Sequence, residues 1–361
     1  MPLIKPLALI LATLCCALGS AHADNLHEVD RIGVPGAALQ SFDISFIDQA
    51  SQHYYLADRS NQSVDIFDVR TDRFIGRVDG FVGVRLKNGK PQGNRSGPNG
   101  VLSTGREIWA GDGDSSVRVV DASTLQLRQV LSTGGSTRLD EMAYDPKDQV
   151  FIGVNNAENP PFATLFSTQD GHTAIGKVLF PDASDGAEQP QYNAEDGLFY
   201  LAIPEIEQHP DQGAVAVIDP RSAQLLRMLP VPHCHPTGLA FGPEGNFLLG
   251  CGGDGKKMPA QLTIMNARSG QVVAEVAGIG GVDMVDYNQH NGQYYAVARS
   301  TAQGPVLAVI DAHSNALVQT LALPGGSPHS VASSETTGKV YVPVGALHGG
   351  DGSIHVFAPG P

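Results

Sequence analysis

The residues best suited to chemistry in this 361-residue chain are three histidines and one aspartate in its C-terminal half. They are His235, His329, His348 and Asp283. Imidazole nitrogens and a carboxylate oxygen bind a divalent metal ion such as Zn²⁺, and carboxylates also suit Ca²⁺. A metal held in this way with one open position could activate water or a substrate. The sequence therefore predicts a candidate metal site. The alternative is that these side chains only line a solvent-exposed surface and bind nothing.

A second polar set precedes short predicted strands spread along the chain. We expect its members to face a central channel and to contact a ligand there. The set consists of Asp43, Asn99, Asp140, Glu141, Gln191 and Asp283. The chain lacks a nucleophile elbow, a P-loop, a dinucleotide-binding glycine motif and the H-E-x-x-H motif. Serine-hydrolase, nucleotide-binding and zincin classes are therefore poorly supported, and no catalytic residue is assigned.

A strand pattern that recurs about every 50 residues must position these side chains. Each copy ends in Asp or Asn and has Ser or Thr three residues later, which predicts a turn stabilised by the acidic or amide side chain. Such repeated residues serve the repeat rather than catalysis. The copies are Val64–Asp68, Val117–Asp121, Val215–Asp219, Leu262–Asn266 and Val306–Asp311, with Thr164–Thr168 as a degenerate sixth.

Four short strands per unit predict an all-β fold, a seven-bladed β-propeller with four-stranded blades. The last unit ends after Ile354–Phe357 without a fourth strand, whereas Leu26–Pro35 is similar to the fourth strand of another unit. We therefore expect the N-terminal strand to complete the last blade and close the ring, which covers the exposed strand edges. The seven first strands are predicted to begin near Gln40, Pro98, Leu139, Gln189, Pro236, Val282 and Pro328.

Two segments carry a resemblance to a known family. Pro236–Ala240 with Glu244-Gly245, and Pro328–Ala332 with Thr337–Val342, resemble the YVTN-type repeat of bacterial YncE-like propellers. The resemblance spans essentially the whole chain after residue 23 and implies blades rather than a particular chemistry. The leading functional hypothesis is an exported ligand-binding or protein-interaction platform that uses its polar channel face. Analogy with other propellers adds a metal-dependent, lactonase-like hydrolase or lyase and a redox accessory with a haem-like cofactor.

Residues 1–23 are predicted to be a signal peptide. Lys5 precedes an apolar run from Leu7 to Leu18, and Ala21-His22-Ala23 forms a small-residue cleavage site. We expect cleavage after Ala23 and a periplasmic, monomeric propeller over 24–361 without a membrane span. Cleavage would leave 22 basic and 37 acidic residues and a net charge of −15. This charge argues against nucleic acid or an anionic membrane as partner and leaves a small molecule or a periplasmic protein.

Two cysteines follow the signal peptide. Cys234 and Cys251 flank a predicted hairpin with its turn at Gly242–Gly245, so they should lie on neighbouring strands at nearly the same height. A disulfide is plausible in an oxidising compartment. Two buried thiols remain an alternative, and so does a soft-metal site, because Cys234 lies between His233 and His235.

An insertion separates the first and second units. Val84–Ser96 carries four basic residues in an otherwise acidic protein and should extend over the channel mouth. A lid or a docking loop and a merely solvated hairpin are both compatible with this composition.

Overall fold

A computed structural model describes residues 25–169, 171–253, 255–256, 258–347 and 349–360. These residues form seven four-stranded antiparallel sheets arranged in a ring, so the prediction of a seven-bladed β-propeller is confirmed. The described part of the chain contains no α-helix, only single 3₁₀ turns at Gly93–Arg95 and Pro243–Gly245. The predicted signal peptide and His348 lie outside the described residues.

Strand β1 (Leu26–Ile32) precedes the first blade, and the first strand of each blade faces the channel. A short hairpin of β6 (Leu86–Lys87) and β7 (Lys90–Pro91) separates blades 1 and 2. The strands of blades 1 to 4 are β2 (Ser45–Asp48), β3 (His53–Asp58), β4 (Ser63–Asp68), β5 (Arg73–Asp79); β8 (Val101–Ser103), β9 (Glu107–Gly111), β10 (Ser116–Asp121), β11 (Leu127–Ser132); β12 (Met142–Asp145), β13 (Val150–Asn155), β14 (Phe162–Ser167), β15 (Ala174–Leu179); and β16 (Pro190–Asn193), β17 (Leu198–Ile203), β18 (Gln212–Asp219), β19 (Gln224–Pro232).

Blades 5 and 6 repeat this order, and blade 7 supplies only three strands from the C-terminal part of the chain. The strands of these blades are β20 (Pro236–Phe241), β21 (Asn246–Cys251), β22 (Gln261–Asn266), β23 (Val272–Ala277); β24 (Gly280–Asn288), β25 (Gln293–Ser300), β26 (Val306–Asp311), β27 (Ala316–Ala322); and β28 (Ala332–Ser333), β29 (Val340–Val344), β30 (Ser353–Pro359).

The N-terminal strand closes the ring as predicted. β1 pairs antiparallel with β30, from Leu26 opposite Pro359 to Ile32 opposite Ile354. The Leu26 amide also donates to the side-chain oxygen of Gln319 in blade 6 at 2.9 Å. Both ends of β1 are buried, so this strand contributes to the core as well as to the sheet.

The hydrophobic core lies between neighbouring blades, where the second and third strands bury both of their faces. Aromatic rings pack across these boundaries. Trp109 of blade 2 stacks on Phe151 of blade 3 with ring centroids 4.6 Å apart. Burial of such apolar surface is the main stabilising contribution of the ring.

The repeated acidic residues form turns, which confirms their predicted role. The Asp121 carboxylate accepts the amides of Ser123 and Thr124, both at 2.9 Å. The Asp311 carboxylate accepts the Ser314 amide at 2.7 Å and the Ser314 hydroxyl at 2.7 Å. These residues therefore stabilise the loops on the face opposite the polar channel mouth.

Several first strands begin later than predicted, because the residues before them are extended but irregular. Blade 1 starts its regular strand at Ser45 instead of near Gln40, and blade 3 at Met142 instead of near Leu139. The preceding segments bond to the second strand only at isolated points, such as the Asp43 amide with the Ala57 carbonyl. These irregular segments carry polar side chains to the channel mouth.

A disulfide joins Cys234 to Cys251, which confirms the pairing expected from the hairpin. Their Cα atoms are 5.2 Å apart, and both residues are fully buried. The bridge ties the segment that precedes blade 5 to the end of β21.

Candidate functional site

Polar side chains gather where the chain approaches the first strands of blades 1 to 4. Four equivalent positions carry them, each defined by a main-chain hydrogen bond from its amide to a carbonyl near the end of the second strand. The donor and acceptor pairs are Asp43 with Ala57 (2.9 Å), Asn99 with Gly111 (2.9 Å), Asp140 with Val154 (2.8 Å) and Glu188 with Ala202 (2.8 Å). The repeat therefore places these side chains at one level of the channel.

Asp43 and Asn99 belong to a buried ion-pair network. The Arg59 guanidinium bonds to the Asp43 carboxylate and donates from Nε to the Asn99 side-chain oxygen at 3.0 Å. All three residues are buried. Burial alone would raise the pKa of Asp43, but Arg59, the hydrogen bond with His329 and the Arg138 charge hold it below its usual range. In this part of the channel mouth, the negative charge of Asp43 is therefore neutralised by its neighbours, which is typical of a structural network.

Arg138 connects this network to Asp140. Its guanidinium bonds to the Asp140 carboxylate and lies 3.8 Å from that of Asp43. The loop that holds it is fixed by Glu158, which accepts the Thr137 amide at 2.6 Å. Burial raises the pKa of Asp140 to about 7, although Arg138 opposes this effect. The negative charge of Asp140 is therefore less fully neutralised by its neighbours than that of Asp43.

His329 faces the same network from blade 7. Its Nε2 lies 3.3 Å from the Asp43 carboxylate, and its Nδ1 lies 2.6 Å from the Ser327 carbonyl. The ring stacks on Phe42 with centroids 4.7 Å apart. Burial would lower the pKa of His329, but the hydrogen bond with Asp43 and the Asp283 charge raise it. Both ring nitrogens are engaged, so a metal could bind His329 only by displacing one of these partners.

The nitrogen-based metal set predicted from the sequence remains untested as a whole, because His348 lies outside the described residues. Its other members have different surroundings. His235 contacts the Pro210 carbonyl at 3.2 Å and lies 3.9 Å from the Glu205 carboxylate. Asp283 instead belongs to a group of carboxylates.

That group joins blades 3, 4 and 6. Glu141, Glu188 and Asp283 each offer an oxygen, and these three atoms lie within 4.8 Å of one another. We call these residues the carboxylate cluster. Glu141 is only 3% exposed, and its Oε2 has no hydrogen-bond partner. Burial and the neighbouring carboxylates raise the pKa of Glu141 and of Glu188 well above the usual range.

The channel also contains a cavity of about 460 Å³ that Glu141 borders. First strands of six blades line it. Its wall is partly apolar, with Met142 and Met284, and partly polar, with Gln191 and Asp286. The Asp286 carboxylate accepts the Ser333 amide at 2.7 Å and its hydroxyl at 2.6 Å. Gln191 thus lines the channel cavity, separately from the ion-pair network.

The basic insertion forms the β6–β7 hairpin and the 3₁₀ turn that follows it. Its base is fixed to the channel mouth, because the Asn94 carbonyl accepts the Arg138 amide at 2.9 Å. The four basic residues of the insertion are exposed: Arg85, Lys87, Lys90 and Arg95. The loop is therefore a neighbour of the polar site, and its role as a lid or docking loop remains a prediction.

Three charged residues of the site were missing from the set predicted from the sequence: Arg59, Arg138 and Glu188. In blade 4 the prediction chose Gln191, although the position equivalent to Asp43 and Asp140 belongs to Glu188. Alignment of the units on the residue that precedes each first strand would have found it. The arginines lie in loops of variable length, which offer no repeated position.

The fold and the site define a seven-bladed β-propeller with ionisable side chains concentrated at one mouth of its channel. Comparison of the chain with models of known families finds no match, and comparison with curated proteins finds no significant relative. Within the described ranges, no helix has the length and apolar character needed to cross a membrane.

Proposed function

We propose that this chain is an exported, YncE-like propeller that serves as a binding platform and takes a small molecule into its central channel. The observation that carries the proposal is the cavity of about 460 Å³ bordered by the buried Glu141 carboxylate. Cavities of about 300–1,000 Å³ with a few convergent polar groups are typical of ligand sites. A propeller fold is itself consistent with a binding platform.

The cavity wall combines polar and apolar groups, which suggests the kind of ligand. Glu141 contributes a carboxyl group, while Met142 and Met284 provide adaptable apolar surface. Gln191 and Asp286 add hydrogen-bonding groups. A small molecule with an apolar body and a polar or cationic end matches this arrangement.

Export is supported by two independent features. The first is the charged, apolar and small-residue order of residues 1–23. The second is the Cys234–Cys251 disulfide, because such bridges persist mainly in oxidising compartments. Both fit a periplasmic location.

The proposal is tested by native mass spectrometry of the protein isolated from the periplasm. We expect a non-covalent adduct that disappears on denaturation. Met142→Trp should fill the cavity and abolish the adduct, whereas Leu226→Trp on an exposed outer strand should retain it. Wild-type protein without any adduct, or equal occupancy in both variants, would contradict binding in the channel.

A lactonase-like hydrolase or lyase is a second candidate, favoured by the proximity of Glu141 and Glu188 to the cavity. Burial and the neighbouring carboxylates raise the pKa of both groups, which favours their acting as proton donors or acceptors. Hydrolysis of simple lactones followed in a pH-stat, with and without divalent ions, tests it. A rate unaffected by Glu188→Gln would reject this assignment. The haem hypothesis has weaker support, since both nitrogens of His329 are already engaged.

A further inference from the structure

We infer that Glu141, Glu188 and Asp283 form an all-oxygen site for a Ca²⁺ ion beside the channel cavity, which Glu141 borders. The inference rests on the proposed use of the channel as a binding site and names an ion that would take part in it. It replaces the histidine-based ligands expected from the sequence with carboxylates from blades 3, 4 and 6.

Each ligand is held by a separate part of the ring. The Glu141 carbonyl accepts a hydrogen bond from the Val154 amide at 2.9 Å, and the Glu188 amide donates to the Ala202 carbonyl at 2.8 Å. The backbone at each of these residues is therefore fixed to the second strand of its own blade. Asp283 lies where the pairing of β24 with β25 shifts register, between Val282 and Val285. Such a bulge redirects a side chain, and here it joins Asp283 to the other two carboxylates.

Glu188 and Asp283 of the cluster share the charge of the partly buried Arg138, but that guanidinium bonds directly to Asp140 and not to the cluster. Glu188 accepts a long hydrogen bond of 3.4 Å from Asn156, and Asp283 lies 3.6 Å from the partly exposed Arg299 guanidinium. Glu141 is almost fully buried, and its Oε2 lacks a partner. A buried carboxylate oxygen without a donor is costly, and a cation among the three groups would satisfy it and relieve their mutual repulsion.

The ligand atoms and their spacing favour Ca²⁺ over Zn²⁺. Carboxylate oxygens suit hard cations, whereas zinc sites usually include imidazole or thiolate ligands. Ca²⁺ binds oxygen at about 2.3–2.6 Å, so ligands on opposite sides of the ion are about 5 Å apart. The three oxygens lie within 4.8 Å of one another, which lets one ion contact all of them. The open side toward the cavity would admit water or an oxygen of the channel ligand.

Isothermal titration of the mature, chelator-treated protein with CaCl₂, MgCl₂ and ZnCl₂ tests the site, and native mass spectrometry gives the stoichiometry. We expect one Ca²⁺ per chain. Glu141→Gln should weaken Ca²⁺ binding at least tenfold while the β-sheet circular dichroism spectrum is unchanged. Glu244→Gln makes the same change of charge at an exposed turn of blade 5 and should bind Ca²⁺ like the wild type.

Absence of Ca²⁺ binding at millimolar concentration, or equal binding by Glu141→Gln and the wild type, would overturn the inference. So would Zn²⁺ binding that Glu141→Gln leaves intact. The small-molecule adduct is measured on the same samples. An adduct without Ca²⁺ binding would remove only the ion site, whereas Ca²⁺ binding without an adduct would remove the proposed function.

Discussion

His172 shows how one turn residue contributes to the stability of the ring. Its Nδ1 lies 2.8 Å from the Gln129 side-chain oxygen, and its Nε2 lies 3.1 Å from the Glu107 carboxylate. The imidazole also packs edge-on against Trp109, with centroids 5.2 Å apart. Although His172 lies in a loop, its side chain is buried against the neighbouring blade.

We predict that His172→Ala lowers the free energy of unfolding by about 1–3 kcal/mol, since it removes hydrogen bonds to the buried Glu107 and the half-buried Gln129 together with the packing against Trp109. Urea denaturation followed by fluorescence of Trp109 measures this effect. His53→Ala, in a half-buried position at the start of β3, serves as the control and should change stability less. Equal midpoints for the two variants would show that the contacts of His172 contribute little.

The channel carboxyl Asp286 makes stability depend on pH. Burial raises its pKa to about 6 from the ordinary 3.8, despite the hydrogen bonds from Ser333, and Glu335 adds to the rise. The folded state therefore binds a proton that the unfolded chain releases between about pH 4 and pH 6. It follows that this group destabilises the fold as the pH rises through that interval.

Asp286→Asn should remove this dependence, because asparagine keeps an acceptor for Ser333 and carries no charge. We expect the variant to match the wild type below about pH 4 and to be more stable by about 1–2 kcal/mol above pH 7, allowing for partial solvation. Thermal or urea unfolding at several pH values provides the measurement. A constant difference between the two proteins from pH 4 to pH 8 would contradict it.

At the scale of strands, the sequence predicted the second and third strands of each blade well. Their apolar residues are buried on both faces, so segments such as Leu198–Ala202 and Val215–Asp219 are recognisable without tertiary information. First strands were placed less accurately. Five of the seven have four residues or fewer, and they face the channel, where polar residues replace the apolar pattern that marks a strand.

The candidate site was predictable only in part, because the repeat gives the position of a residue within its unit but not its neighbours across the channel. Asp43, Asp140 and Glu141 precede first strands and Asp283 lies within one, and the repeat identifies that location. Which of them share a ligand depends on the curvature of the ring and on the bulge at Asp283, neither of which has a local pattern. The sequence therefore indicates where along the units these residues lie, but it does not indicate which of them are neighbours in space.

The disulfide supports blade 5, and its removal should be measurable. Cys234 and Cys251 are separated by 17 residues, and a bridge over a loop of this size contributes about 3 kcal/mol by restricting the unfolded chain. We predict that replacing both by alanine lowers the free energy of unfolding by about 2–4 kcal/mol. A reductant should destabilise the wild type similarly and leave the double variant unaffected. Two free thiols in non-reducing mass spectrometry of protein produced in an oxidising compartment would contradict the bridge.

At the scale of the whole molecule, closure by β1 determines whether the ring is complete. Deletion of residues 24–34 would remove the outer strand of blade 7, the buried Leu26 and its bonds to Gln319. We expect the melting midpoint to fall by several degrees or more, because backbone partners and apolar surface are lost together. Differential scanning calorimetry measures the change.

A synthetic peptide of residues 25–35 provides the control for this deletion. Added to the truncated protein, it should restore part of the lost stability, since it can pair with the free edge of β30. A scrambled peptide should not. An unchanged midpoint after deletion would show that the ring does not depend on this strand.

The pairing of β1 with β30 also fixes an order of events as the chain folds. Blades 1 to 6 are made of strands that are neighbours in the chain, so each can assemble from one continuous segment. Blade 7 cannot, because β1 must wait for β30. Until β30 is available, the folding chain presents an unpaired β1 together with an incomplete ring. During this interval a chaperone would shield the exposed strand edge, and two folding chains could exchange their β1 strands.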